Sequence, residues 1–261
     1  MLRHYIKVAL RLIRRSLLFS SINLMGFVLG LTAAFLIYLW VVDELTHDDC
    51  FRDGNRIFRV TELHREAGGE IKESPYLPRV LAMDFRQKFP QVEDATSIKY
   101  GDRHSYGAGE GKMITADDVY VDSTFFRFFS FPVVEGVPQR INDDSKNVVL
   151  SAELARKFFG SAPAVGQKLT YSFGDIINDV YTVVAVVDIP RKSHIRFELA
   201  KSMDAFTWGN WNTFTESLHV YVKMKEGSAM FRSEAQAMSR LMADRGEKNV
   251  RLNFQPLHDI Y

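Results

Sequence analysis

The chain has 261 residues with a formal net charge of +1, and 46% of them are hydrophobic. Five basic side chains lie in residues 1–15, so the rest of the chain is net negative; this argues against nucleic acid as a partner, which calls for a basic face. The single cysteine, Cys50, cannot form an intramolecular disulfide, so an apolar core must stabilise the fold. We interpret Cys50 as an ordinary small side chain, because no catalytic pattern lies near it.

The N-terminal segment predicts a basic amphipathic stub followed by a transmembrane helix. Residues 1–15 mix apolar and basic side chains at helical spacing, which is typical of a stub in the lipid headgroups or of an ordinary topogenic cluster. Residues 16–42 carry no charge, and the part from 22 to 42 would form a helix of about 31 Å, which matches a hydrocarbon layer of about 30 Å. A cleaved signal peptide is disfavoured, because its apolar region is typically about 7–15 residues long.

Charge and small residues predict the direction and the neighbours of this helix. Lys and Arg near a span stay on the cytoplasmic side, so the N-terminus is expected in the cytoplasm and residues 43–261 outside it. Gly26, Gly30 and Ala33 bring small side chains together on nearby faces, which favours the close approach of another helix. These three residues are the predicted helix-packing site in the membrane, and membrane lipid is the other expected neighbour.

The exported part begins with a predicted strand, helix and strand, and the same order recurs at its end. The first unit is expected at about 56–62, 78–89 and 92–100. The second unit is expected at about 218–225, 228–242 and 250–254, with Ser228 as the helix cap. Two such units can share one sheet with their helices on one face.

The segment between these units predicts a second, strand-rich lobe. Its strands are expected at about 119–122, 147–150, 167–171 and 179–187, and a short helix at 152–159 between Ser151 as cap and Gly160 as stop. Five phenylalanines between 125 and 131 are interpreted as core, because dense aromatic side chains usually bury area. The predicted fold is therefore α+β: one N-terminal transmembrane helix and a two-lobed extracytoplasmic domain. Its membrane-proximal lobe comprises 43–112 and 206–261, and the inserted lobe comprises 113–205.

The sequence predicts no catalytic, cofactor or metal chemistry. Residues 107–113 resemble a phosphate loop only superficially, because Tyr106 and Met113 stand where that loop needs Gly and Ser or Thr; a flexible hairpin tip is expected instead. Residues 47–50 bring His, Asp and Cys together without a ligand spacing typical of metals, and we interpret them as a solvated linker. The other histidines, His194 among them, belong to no nucleophile motif. We therefore predict that the chain is not an enzyme.

Six stretches together carry a resemblance to a known family. The first is FRDGNRIFRV at 51–60, just after the span. The others lie at 125–136, 149–160, 165–169, 181–190 and 193–197. In this order and spacing they resemble the MacB-type periplasmic core domain of FtsX-like permeases in ABC transporters, over essentially the whole chain. The resemblance implies a lobe near the membrane with a second lobe inserted into it.

The resemblance also implies a function without chemistry in this chain. A cytoplasmic ABC ATPase partner would bind and hydrolyse ATP, and the permease would relay the movement to its periplasmic domain for export or for lipoprotein and envelope handling. The implied location is the bacterial cytoplasmic (inner) membrane. The chain has no Walker motif, so no cofactor is expected in it.

Three further expectations concern what surrounds the chain and its function class. Family permeases continue into further spans, so we expect an N-terminal fragment that packs against further permease helices or a second permease copy; a single-span relative acting through a partner is the alternative. A single-span sensor or ligand- or protein-binding module also stays open, although about 15 residues before the span are too few for a signalling domain. A membrane-anchored hydrolase is the third class, because triads are assembled in space.

Overall fold

The computed structural model describes residues 4, 5, 11, 15, 17–46, 48–65, 68–109, 113–173, 177–203, 218–228, 236–240 and 250–260. The chain forms two compact units, residues 1–47 and residues 48–261. The first unit contains helix α1 (Leu17–Leu45), and the second contains a sheet with shorter helices.

Helix α1 is apolar on all sides, as expected of a membrane span. It has a mean hydropathy of 2.2 and is the one helix of the described residues that is long and apolar enough to cross a membrane. The helix continues past the predicted end at Val42. There the backbone N and the hydroxyl of Thr46 both donate to the carbonyl oxygen of Val42, at 3.2 and 2.8 Å.

The described strands of the second unit join in one mixed sheet. They are β1 (Ile57–Arg65), β2 (Ile71–Ser74), β3 (Val92–Gly107), β4 (Met113–Val121), β5 (Val133–Gly136), β6 (Asn147–Ser151), β7 (Lys168–Phe173), β8 (Ile177–Val187), β9 (Leu199–Ser202), β10 (His219–Met224) and β11 (Val250–Pro256). Their order is β11-β1-β10-β3-β4-β9-β6-β8-β5, with β2 beside β1 and β7 beside β3 and β8. The pairs β4–β9 and β6–β8 are parallel, and the other pairs are antiparallel.

The two predicted strand-helix-strand units share this sheet. Their strands interleave as β11-β1-β10-β3, which confirms the prediction of a common sheet. Leu81 and Phe85 of α2 (Val80–Lys88) belong to the same buried cluster as Met238, in the helical residues 236–240, so both helical segments cover one face. The rest of the second predicted helix, from its cap Ser228 to Met242, includes residues outside the described ranges. That part of the helix therefore stays a prediction.

The middle segment continues the same sheet beyond β3. Its predicted strands are confirmed, and so is its short helix, α4 (Ala152–Phe159). The hydroxyl oxygen of Ser151 accepts from the backbone N of Leu154 at 3.1 Å, and the helix ends at Gly160. The division into lobes stays a prediction. Strands β3 and β4 pair directly across its first boundary, and the second boundary lies outside the described residues.

The five predicted core phenylalanines are buried, which confirms their interpretation. Four lie in α3 (Phe125–Phe129), and Phe131 follows it. Their rings contact one another closely, with centroids 4.8 Å apart for Phe128 and Phe129. This cluster also contains Phe51 and Leu257, so it joins both ends of the second unit to its centre.

Candidate functional site

Gly26, Gly30 and Ala33 lie on one face of α1. At about 100° per residue, Gly30 and Ala33 lie about 40° and about 20° to opposite sides of Gly26. All three are exposed, and a methyl group added at either glycine would meet no atom within 4 Å. This face leaves room for another helix to approach closely, and its role in helix packing stays a prediction.

The residues after α1 form a firmly bonded stretch, residues 48–56, which we call the junction segment. Asp48 begins it and is fully buried. The backbone N of His194 donates to Asp48 Oδ1 at 2.9 Å, and His194 Nδ1 lies 2.8 Å from Asp48 Oδ2. The backbone N of Asp48 donates to the carbonyl oxygen of Lys192 at 2.7 Å. The φ angle of Asp48 is 60°, in the left-handed region that Asp tolerates better than most residues.

His194 extends this contact into the sheet. Its Nε2 atom lies 3.0 Å from the hydroxyl of Tyr221 in β10. The side chain of His194 is 6% exposed, and Tyr221 is 1% exposed. An acid, a histidine and a hydroxyl in series resemble a hydrolytic triad, but a hydroxyl at this depth is out of reach of a substrate. The arrangement therefore fixes the positions of three chain segments and does not present a nucleophile.

The interpretation of residues 47–50 as a solvated linker is wrong for Asp48. Its carboxylate is buried because it is satisfied by His194, which lies 146 positions along the chain and leaves no local signal. Asp49 and Cys50 are exposed, and His47 lies outside the described residues. Partial burial and the nearby Asp48 carboxylate raise the pKa of the Cys50 thiol to about 11. A thiol this reluctant to ionise is a weak nucleophile, which supports the interpretation of Cys50 as an ordinary side chain.

Phe51 is the apolar anchor of the junction segment. It is 5% exposed, and its ring centroid lies 5.1 Å from that of Phe129 and 5.6 Å from that of Phe131. Its ring also meets the His194 ring edge-on, at 6.3 Å. The polar anchor at Asp48 and the apolar anchor at Phe51 therefore meet on the same histidine.

The end of the junction segment is held by charged groups. Arg56 donates to Asp53 Oδ1 at 2.7 Å, to Glu93 Oε2 at 2.5 Å and to the carbonyl oxygen of Met224 at 2.6 Å. Lys223 Nζ lies 3.3 Å from Asp53 Oδ2. The hydrogen bond from Arg56 lowers the pKa of Asp53. The segment thus reaches β1 already bonded to β3 and β10.

A second buried polar group, the Lys201 cluster, lies near the middle of the sheet. Lys201 Nζ lies 2.6 Å from Asp118 Oδ2, and their side chains are 1% and 0% exposed. The same oxygen lies 2.7 Å from His104 Nδ1 and accepts from the Tyr106 hydroxyl at 2.5 Å. Four tyrosine rings surround Lys201 Nζ at 4.8–5.7 Å from their centroids: Tyr106, Tyr120, Tyr171 and Tyr181. The cluster joins β3, β4, β7, β8 and β9.

A β-bulge makes room for the Asp118 carboxylate. The β3–β4 register shifts between Tyr100 and Arg103, where two residues of β3 face Asp118 alone. A Cβ atom at Gly101 would overlap Asp118 Oδ1 and lie 3.0 Å from the Asp118 carbonyl oxygen. Burial raises the pKa of Tyr106 and Tyr120, so both hydroxyls stay protonated and able to donate. Gly101 is therefore part of the cluster, although it carries no functional group.

Ligand sites are not evident among the described residues. They contain no group of three or more His, Cys, Asp or Glu able to hold a metal ion. A cleft of about 1000 Å³ lies beside the start of α4. Its lining carries both signs of charge, from Asp117, Glu153, Arg156, Asp188, Arg191, Arg196 and Glu198. This lining defines no ligand class.

An apolar helix of spanning length precedes a strand-rich α+β unit, an arrangement typical of a domain attached to a membrane helix. Residues 20–239 match the family of MacB-like periplasmic core domains, and the chain belongs to this family. The family is one of ABC transporter permease domains and not of classical enzymes. No curated protein sequence matches the chain.

Solved structures share the fold at low sequence identity. A domain of a permease protein from Porphyromonas gingivalis is 17% identical, with a TM-score of 0.66, over 79% of this chain and 91% of that one. The periplasmic region of MacB from Actinobacillus actinomycetemcomitans is 13% identical, with a TM-score of 0.55, over 80% and 92%. The extracellular domain of the noncanonic ABC-type transporter YknZ from Gram-positive bacteria is 11% identical, with a TM-score of 0.56, over 76% and 99%.

Proposed function

We propose that the chain is a permease subunit of an ABC transporter, which relays movement driven by a separate ATPase to an extracytoplasmic domain. One observation carries this proposal: the family match over 20–239 includes both a helix of membrane-spanning length and the MacB-like domain joined to it. The sequence has no Walker motif, so ATP would be bound by the cytoplasmic partner. The relayed movement would drive export or the handling of lipoproteins and the envelope.

The orientation follows from the basic flank of α1. With residues 1–15 in the cytoplasm, residues 43–261 would face the periplasm from the cytoplasmic membrane. The face of Gly26, Gly30 and Ala33 would then pack against further permease helices or a second permease copy. The buried polar groups of the domain suit this role, because a relay needs fixed internal contacts.

The test is purification of the tagged gene product from its native membrane in mild detergent. We expect an ABC ATPase to co-purify, identified by mass spectrometry, and its rate of ATP hydrolysis in nanodiscs to differ with and without the permease. Absence of such an ATPase, or an unchanged rate, would contradict the proposal.

The packing face has a matched control on the same helix. Gly30→Ile fills the predicted face, whereas Ser21→Ile makes a similar change about 150° away from its centre. We expect Gly30→Ile to weaken co-purification of the complex and Ser21→Ile to leave it intact. Equal effects of the two substitutions would contradict the assignment of helix packing to this face.

A further inference from the structure

We infer that Asp48 and His194 form the joint at which movement of α1 is transferred into the periplasmic domain; this inference rests on the relay function proposed above. The joint is a positioning device, and neither residue acts on a substrate.

Among the described residues, Asp48 is the first buried one after the helix. The helix ends at Leu45, so the connection is three residues long and spans at most about 11 Å. The next buried anchor is Phe51, six residues from the helix end, with a reach of about 21 Å. Losing the Asp48 contact would therefore double the length of chain that can take up a displacement of the helix.

The bonds of Asp48 lead to two separate parts of the sheet. Lys192 and His194 belong to the connection between β8 and β9, in the middle segment. Through Tyr221, the same histidine reaches β10, which pairs with β1 and β3. A pull at Asp48 is thus delivered to the middle segment and to the flanking units at once.

The backbone of Asp48 indicates that its position is imposed by these contacts. A non-glycine residue in the left-handed region is strained and persists where its surroundings over-determine it. Here the backbone N and both carboxylate oxygens of Asp48 are used. The contact is therefore a rigid one, as a joint requires.

The domain provides a matched control for a purely structural role. His104 and Asp118 form a buried His–carboxylate pair at 2.7 Å, against 2.8 Å for His194 and Asp48. Along the chain, His104 is separated from α1 by β1, β2 and α2. Loss of either imidazole should lower stability, but only the loss of His194 should affect the transfer of movement.

The experiment measures a nucleotide-dependent distance by pulsed EPR. The complex with its co-purified ATPase is studied in nanodiscs, with Cys50→Ser as background and spin labels at Val42→Cys and Val134→Cys. Both labelled positions are exposed, the first at the end of α1 and the second in β5. Distances are compared without nucleotide and with ATP plus vanadate, in the parent and in His194→Ala, His104→Ala and His194→Asn.

We expect the nucleotide-dependent shift of the parent to fall about twofold or more in His194→Ala and to stay in His104→Ala. The shift should return in His194→Asn, because the Asn amide can occupy the place of Nδ1 and donate to Asp48. If His194→Ala does not fold, Asp48→Gly tests the same contact by the same distance measurement, since Gly adopts the left-handed backbone without strain. An equal shift in His194→Ala and His104→Ala would overturn the joint alone. No shift in the parent would overturn the relay function itself.

Discussion

Two buried His–Asp pairs of the domain have nearly the same geometry and different surroundings. Asp118 accepts from His104 and also faces Lys201, in the Lys201 cluster that joins five strands. Asp48 accepts from the backbone and the ring of His194, at the point where the chain enters the domain. We expect the buried pair inside the sheet to contribute mainly to stability. We expect the pair at the start of the domain to contribute mainly to fixing the position of the chain after α1.

The largest effect is expected at the fully buried ion pair of Lys201 and Asp118. Lys201→Met should destabilise the chain by about 3–5 kcal/mol, because it leaves the Asp118 carboxylate buried without its cation. Thermal unfolding of the detergent-solubilised chain measures this loss. Adding Asp118→Asn should recover part of the stability, since it removes the uncompensated charge. A double variant as unstable as Lys201→Met would contradict the ion-pair account.

The bulge at Gly101 offers the next test. Gly101→Ala should cost about 1–3 kcal/mol, because its methyl group would overlap Asp118 and displace the carboxylate from the cluster. Gly68→Ala is the control, since a Cβ atom there would meet nothing within 4 Å, and its effect should stay within about 0.5 kcal/mol. The same unfolding measurement applies to both. Similar losses in the two variants would show that the bulge does not hold Asp118.

Removing one tyrosine hydroxyl next to each His–Asp pair compares how much the two pairs contribute to stability. Tyr106→Phe removes a donor to the Asp118 carboxylate, for an expected loss of about 1.5–3 kcal/mol. Tyr221→Phe removes the partner of His194 Nε2, for an expected loss of about 1 kcal/mol. The difference between the unfolding midpoints of the two variants shows which pair contributes more to stability. The reverse order would contradict the assignment of stability to the Lys201 cluster.

The smallest effect is on the ionisation of Cys50. Its thiol pKa of about 11 is raised first by burial and second by the Asp48 carboxylate. Thiolate, the reactive form, should therefore appear only near that pH, and Asp48→Gly should move the onset of alkylation to lower pH. Rates of iodoacetamide labelling from pH 7 to 11 measure the shift. An unchanged profile would indicate that the Asp48 carboxylate does not face Cys50.

Much of the fold could be predicted from the sequence, because it follows from local patterns. Alternation marks β10, the cap and stop residues mark α4, and 27 uncharged residues mark the membrane helix. The pairing of β4 with β9 and of β3 with β10 could not be predicted in this way, since pairing between distant segments leaves no periodic signal.

The buried polar groups were harder to predict than the fold. Asp48 and His194 meet across 146 positions, and the acidic surroundings of Asp48 in the sequence indicate solvent instead of burial. The burial of Lys201 could be predicted in part, because this residue lies inside the short apolar stretch of β9, where a charged side chain needs a partner. That partner, Asp118, is identified only once β4 and β9 lie side by side.

Hydrogen exchange of the whole complex in nanodiscs tests the relay most directly. Exchange is followed by mass spectrometry without nucleotide and with ATP plus vanadate. The relay predicts that peptides covering the junction segment and residues 190–197 change their protection together when nucleotide is trapped, because Asp48 and His194 join them. Unchanged protection throughout residues 48–261, while the partner ATPase hydrolyses ATP, would contradict it.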